Sequence, residues 1–226
     1  MANTDTPRGV TILDEDFHSD SPTASRWIET VASSATQDIL NRHGGWWRQV
    51  MAGDDGDATL IAWEQTWEID EGAPIVMEVR LRTSDSDKSS IFVGFTDNNA
   101  ESGGVVIEDE DGTLNTVATD AYGFLLEGEQ DETWQAVGVD TDVDNTQAAM
   151  TNTTDAADDT TQTVRMEAHT VSSGTVLYYV DGILGSTRTS WVDTSLVLCP
   201  AVSCDDRGTA YNLDTDYVYV RAVRGA

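Results

Sequence analysis

Apolar and polar positions alternate with a period of two through much of this chain. In IVMEVRLR (Ile75–Arg82), Ile75, Met77, Val79 and Leu81 fall on one side of an extended segment, and Val76, Glu78, Arg80 and Arg82 on the other. The first set is apolar and the second mostly polar, as a half-buried antiparallel strand requires. DYVYVRAV (Asp216–Val223) repeats the pattern, with Tyr217, Tyr219 and Arg221 opposite Val218, Val220 and Ala222. A closing segment this apolar predicts pairing deep in a sheet rather than at an open edge. Short runs rich in Val, Ile, Thr, Tyr, Phe and Trp, separated by Gly, Asp, Asn, Ser and Thr clusters, predict further strands. The whole set is Thr11–Phe17, Trp46–Met51, Ala58–Trp67, Ile75–Arg82, Ser90–Thr96, Gly104–Glu108, Ala121–Leu126, Trp134–Asp140, Thr161–His169, Thr175–Val180, Ile183–Thr187, Leu196–Ser203 and Asp214–Val223. Many short strands with frequent turn residues read as an all-β sandwich or barrel.

LYYVDGILGST (Leu177–Thr187) reads as a hairpin. Asp181-Gly182 suits a two-residue turn, because both central residues must take positive φ. Helix signals are thin. Ser21 resembles an N-cap with Pro22 at the first helical position, but no 3.6-residue periodicity follows, so Ser21–His43 predicts loops or a short helix. Asp140–Thr160 is polar and acidic without strand pattern. It predicts a long surface excursion, a place for mobility or a partner contact. The expected organisation is a polar N-terminal arm over residues 1–11 and a single sandwich domain over residues 12–226.

Charge changes the picture most. The 226 residues carry 41 acids against 12 bases, a net charge of −29, and Lys88 is the one lysine. Such a chain repels phosphate backbones, and its basic residues do not cluster along the sequence, so nucleic acid is excluded as a partner. Anionic membrane surfaces are disfavoured for the same reason, and no stretch approaches the ~20 apolar residues needed to span a bilayer. The surface suits high salt or high local density, and a saline source is the plain reading. MANTDTPRGV lacks the charged-then-apolar pattern of a signal peptide, which predicts synthesis without signal-led secretion. Cys199 and Cys204 are the only cysteines. They read as free, partly buried thiols, with a bond formed after release from a cell as the alternative.

Three segments line up in order: EVRLR…SIFVGFTD, then YGFLLEG…WQAVGV, then LYYVDGILG…LVLCPAVS…LDTDYVYVRA. This order resembles the concanavalin A-like jelly-roll sandwich, including its laminin-G-like and glycoside-hydrolase-like members, and implies two antiparallel sheets with long acidic loops and little helix. With GGWWRQV ahead of them, the blocks are similar to the virion proteins of tailed viruses (phages) that decorate, or cement, the capsid exterior. That resemblance spans Ile12 to Arg224. It implies a non-enzymatic structural protein bound to the major capsid protein, a homotrimer, and location on the virion exterior after synthesis in the host cytoplasm.

Chemistry along the chain adds little to this. A glycosidase on such a sandwich can carry E-x-D-x-x-E, two of whose carboxylates flank the scissile bond roughly 5 Å apart. The nearest match, Glu68-Ile69-Asp70-Glu71-Gly72-Ala73, has alanine where the acid should stand. His18, His43 and His169 are the only histidines, and no Ser or Cys lies in a nucleophile elbow. DTDVDN (Asp140–Asn145) and EDEDGTLN (Glu108–Asn115) alternate carboxylates as calcium loops do, but lack the glycine or the later bidentate ligand. The expectation is therefore no catalytic residue, no metal and no cofactor. The competing function is a lectin-like carbohydrate-binding module, free or virion-displayed, with glycans as partner. Stacking platforms need exposed aromatics, and Trp46-Trp47 is the candidate pair, one facing the core and one outward. Trp63, Trp67, Trp134 and Trp191 read as core anchors.

Overall fold

The computed structural model describes residues 10–17, 27–40, 45–54, 56–63, 67–68, 74–110, 112–169, 174–191 and 196–223. Its strands, in chain order, are β1 (Val10–Glu15), β2 (Trp27–Ala32), β3 (Thr36–Leu40), β4 (Trp46–Met51), β5 (Ala58–Trp63), β6 (Trp67–Glu68), β7 (Ile75–Thr83), β8 (Ser89–Thr96), β9 (Ile107–Glu110), β10 (Thr113–Thr116), β11 (Ala121–Glu127), β12 (Asp131–Asp140), β13 (Val143–Asp144), β14 (Ala148–Ala149), β15 (Gln162–His169), β16 (Thr175–Val180), β17 (Ile183–Arg188), β18 (Val197–Asp206) and β19 (Tyr211–Val223). Among the described residues the one helical turn is the 3-10 turn Ser102–Gly104. All pairings are antiparallel.

The strands form two large sheets. The first has the order β17-β16-β15-β7-β19-β4-β3, and β1 also pairs with β19. The second has the order β13-β12-β11-β8-β18-β5-β2, with β14 on β12 and β6 on β18. The closing strand β19 lies deep in the first sheet, as its apolar face predicts, with β7 along one edge and β4 and β1 along the other. The hairpin also forms. Asp181 and Gly182 take φ of 50° and 78°, and Val180 pairs with Ile183 across them.

Alternation delivers the core. On β7, Ile75, Met77, Val79 and Leu81 are buried against the second sheet, while Arg80 faces solvent. Facing them are Ile91, Val93 and Phe95 of β8, Tyr122, Phe124 and Leu126 of β11, and Val202 and Cys204 of β18. Phe124 meets Trp134 and Tyr178 edge-on, at 6.1 and 5.1 Å between ring centres, the arrangement that ring quadrupoles favour. The second sheet is buried on its other face too. Val106, Ile107 and Ala118, with Leu114 partly buried beside them, cover Leu60, Phe92, Leu125 and Val137 in a second apolar cluster. Gly94 and Gly123 pair across β8 and β11 beneath this cover. A Cβ on Gly123 would stand 2.4 Å from the Val93 carbonyl oxygen and 2.9 Å from the Phe92 ring, so both strands need glycine there.

Four expectations need correcting. Part of Ser21–His43 is strand, not loop or helix: β2 and β3 are edge strands of the two sheets. Long-range bonds hold their corner, since the buried Asp57 carboxylate accepts from the Ser34 backbone and hydroxyl and from the Ala52 N–H. Ser21, Pro22 and His43 lie outside the described residues. The strand predicted over Gly104–Glu108 starts later, at Ile107, because Gly104 takes a φ of +78° and ends a 3-10 turn. The predicted Ala58–Trp67 strand ends at Trp63, and Trp67 begins β6 on another stretch of β18. The acidic excursion over Asp140–Thr160 includes two short strands, β13 and β14, on β12. Backbone bonds from Met150 to Trp134, Thr151 to Gly185 and Ala156 to Glu132 lay it along the sandwich, and Met150 and Ala156 are buried. As for the N-terminal boundary, β1 begins at Val10, and residues 1–9 lie outside the described residues.

Candidate functional site

With three of the four sheet faces buried, the open face is the outer side of the first sheet. Antiparallel register places directly paired residues on the same side. One row therefore crosses six strands: Asp14 of β1, Tyr219 of β19, Glu78 of β7, Arg165 of β15, Tyr179 of β16 and Leu184 of β17. The next row holds Ile12, Arg221, Val76, Glu167 and Leu177. Between them lies a groove of about 420 Å³ lined by Asp14, Val76, Glu78, Arg165, Tyr217, Tyr219 and Arg221. Two tyrosines and a valine share its lining with charged side chains, of which Asp14 and Arg221 are exposed.

Fixed contacts organise the rim. The Tyr217 hydroxyl donates to Glu78 Oε1 at 2.6 Å. Burial, then the bond to Glu78 and its charge, push that phenol up to about 12, so it keeps its proton and holds Glu78 in place. The Arg165 guanidinium pairs with Glu167 and lies 5.8 Å from the centre of the Tyr179 ring. Burial and the nearby Glu167 charge raise the Tyr179 phenol as well. Glu167 also faces His169 Nε2 at 3.5 Å.

Further along the same face, Asp214 accepts from both Arg48 and Arg82, at 2.6 and 2.8 Å. Burial pushes its carboxyl up, but the two guanidinium groups more than offset this and hold it below the usual range. Arg80 pairs with Asp216, the residue of the β19 bulge, at 2.7 Å. Thus Arg48, Arg80, Arg82, Arg165 and Arg221 gather on one face, of which the chain itself shows only Arg80 and Arg82 side by side. This corrects the reading that the basic residues do not cluster. Four of the five are bound to carboxylates of the protein itself, which leaves the face little net attraction for a phosphate backbone.

The two candidate tryptophans separate as strand geometry requires. Trp47 is buried in the core beside Phe17, with 3 % of its surface exposed, and is removed as a ligand platform. Trp46 faces outward, half-buried, with the Arg82 guanidinium 5.1 Å from its ring centre. It shares the open face with the groove but does not line it. Trp63, Trp67 and Trp134 are buried, and Trp191 packs at the edge of the core. Of the carboxylate run after Trp67, the Glu68 backbone belongs to β6, while Ile69–Ala73 lie outside the described residues, as does His18.

In the two acidic runs, side chains turn to separate partners. Asp144 accepts from Thr116, Asp140 from Thr141, Asp109 from Gln147, and Glu108 pairs with Arg207. Among the described residues no three acidic, histidine or cysteine side chains are grouped to hold a metal. Cys199 and Cys204 are free and buried on opposite faces of β18, one in each apolar cluster, so they face away from each other. Among the described residues no helix is long and apolar enough to cross a membrane.

The sequence matches no protein-family model and no curated protein. Its fold matches many solved structures. The Emp47p carbohydrate recognition domain superposes with a TM-score of 0.61 at 11 % identity, covering 96 % of this chain and 98 % of that one. The Bacillus licheniformis β-glucanase gives 0.60 at 14 % identity over 95 % and 98 %. The conserved carbohydrate esterase vb_24B_21 from the Shiga toxin-encoding bacteriophage phi24B gives 0.57 at 16 % identity over 96 % and 100 %. The chain thus has the concanavalin A-like jelly-roll fold, in agreement with the expected class. At these identities the match defines architecture and leaves activity to the residues of the site.

Proposed function

We propose that this protein is a non-enzymatic, lectin-like carbohydrate-binding module that takes a glycan in the groove on its first sheet. The observation that carries this reading is Tyr219, flanked on neighbouring strands by Asp14 and Glu78. A pyranose has an apolar face and a hydroxyl rim, and it suits an aromatic surface with polar groups to either side. The Emp47p domain, by name a carbohydrate recognition domain, shares the architecture and supports the reading. Hydrolysis is the weaker use of the same groove. A glycosidase needs one carboxyl kept protonated in a dry pocket. Here Asp14 is exposed and Glu78 already accepts the Tyr217 hydroxyl. Titration against a glycan panel is expected to give saturable binding that falls at least about tenfold in Tyr219→Ala, as loss of a stacking platform implies. No saturable binding to any glycan overturns the proposal, and release of reducing sugar that stops in Glu78→Gln overturns its non-enzymatic part.

The setting we propose for the module is the exterior of a tailed-virus capsid, as a homotrimeric decoration protein on the major capsid protein. The ordered blocks quoted above support it, since they run through most of both sheets (β4, β7, β8, β11, β12 and β16 to β19). The bacteriophage esterase, matched over its full length, is a phage protein of similar architecture and supports the setting. The charge of −29 would keep such a particle surface hydrophilic. Repetition over a shell would multiply modest contacts by avidity. Purified protein is expected to co-sediment with cognate capsids and to raise their resistance to heat; failure to bind that shell removes the setting.

A further inference from the structure

The chain has far more acids than bases, and most of the cations among the described residues are neutralised within the fold. Arg48 and Arg82 share Asp214, Arg80 holds Asp216, Arg165 holds Glu167, Lys88 holds Glu129, and Arg207 sits among Glu108, Glu127 and Asp205. Arg188 lies over the Trp191 ring. Among the described residues, Arg221 is the guanidinium that has neither an ion pair nor a ring beneath it, and it is exposed on the wall of the groove. Asp14 on β1 and Glu78 on β7 are its nearest acidic neighbours by register, each one diagonal away, yet neither forms an ion pair with it.

We infer that the groove selects a carboxylate-bearing sugar, a hexuronate, with its ring on Tyr219 and its carboxylate on Arg221. This rests on the glycan reading above and adds the ligand's chemical class. Tyr219 and Arg221 stand two residues apart on one face of β19, roughly 7 Å along the strand. That spacing lets a pyranose stacked on the tyrosine extend its exocyclic carboxylate to the guanidinium. An arginine fork meets a carboxylate through two parallel charge-assisted bonds, which neutral sugars cannot form. Val76, paired with Arg221 on β7, puts no acceptor directly opposite the guanidinium, and Glu78, one diagonal away, is engaged by the Tyr217 hydroxyl. Acids elsewhere on the surface oppose an anion only weakly, since fields from exposed charges fade beyond about 8 Å at physiological salt. The local guanidinium decides.

The test compares an oligogalacturonate with its carboxyl-reduced neutral counterpart by calorimetric titration, using the full chain. The wild type is expected to prefer the uronate by about tenfold or more, the worth of a charge-assisted contact. In Arg221→Gln the preference should collapse to near unity, with affinity for the uronate falling far more than affinity for the neutral oligomer. Tyr219→Ala should weaken both oligomers. The Arg221 side chain is exposed and forms no ion pair among the described residues, so an unaltered melting temperature is expected for its variant. Equal wild-type affinity for the two oligomers, or a preference that survives Arg221→Gln, overturns this inference and leaves the glycan reading standing. Binding of neither oligomer overturns the inference; if a wider glycan panel is also silent, the glycan reading falls with it.

Discussion

Arg207 sits among three carboxylates, and replacing it with leucine should expose the cost of the acids it holds. Its guanidinium lies 2.9 Å from Glu108, 3.3 Å from Glu127 and 3.5 Å from Asp205, and it donates to the Asp109 carbonyl at 3.2 Å. The side chain is 14 % exposed and that of Glu127 only 1 %. Breaking a buried ion pair by removing one partner costs about 3–5 kcal/mol. For a domain of this size that is a fall in melting temperature of about 10 °C. The loss must depend on pH. Burial and a hydrogen bond shared with Glu108 already raise the Asp205 carboxyl to about 7, against the pull of Arg207, and burial raises Glu127 as well. An acid whose folded value lies above its unfolded value, about 4, destabilises the fold at high pH and is relieved as pH falls through that window. Removing the cation pushes these carboxyls further up. Urea unfolding followed by tryptophan fluorescence should therefore show the full loss at pH 8 and a clearly smaller one at pH 5. An equal loss at both, or less than about 1 kcal/mol at pH 8, would refute the reasoning.

Asp214→Ala should destabilise by about 2 kcal/mol at neutral pH, since it strands two part-buried guanidinium groups. Because the Asp214 carboxyl is held below its usual range, its contribution is present above the unfolded value, about 4, and the gap between wild type and variant should narrow as pH falls below that value. Burial pushes the Cys199 and Cys204 thiols up to about 12, so an aromatic disulfide reagent at pH 8 should react with neither until denaturant is added. Gly123→Ala should cost about 3 kcal/mol in thermal unfolding, because the new methyl meets carbonyl and Cα atoms of β8 rather than a yielding side-chain tip.

The parts of the fold that reveal themselves in sequence are the strands with one clean buried face. β4 and β16 have their predicted bounds, and β7 and β19 show their inner and outer sets by simple alternation. The edge strands escape notice for a physical reason. TQDIL of β3 pairs along one side only and alternates weakly, with no residue fully buried, while the corner before it depends on Asp57, more than twenty residues away. The short β10, TLNT, is likewise half-exposed and carries no apolar run. The site was visible in fragments. Tyr217, Tyr219 and Arg221 stand together on the outer side of the closing strand, but Asp14, Glu78 and Arg165 join them only through register. Pairing partners separated by tens to hundreds of residues leave no local trace. Trp46-Trp47 drew attention because it is local, and only its outward member lies on the open face.

The pairing of β1 with the end of β19 has a use beyond closing the sheet. Val10 lies directly opposite Val223, so the two ends of the framework are already neighbours. A short peptide bridge could join them, and new termini cut at the exposed Asp181-Gly182 turn would leave every strand in its place. The architecture belongs to the pairing pattern rather than to the order in which a ribosome happens to deliver it.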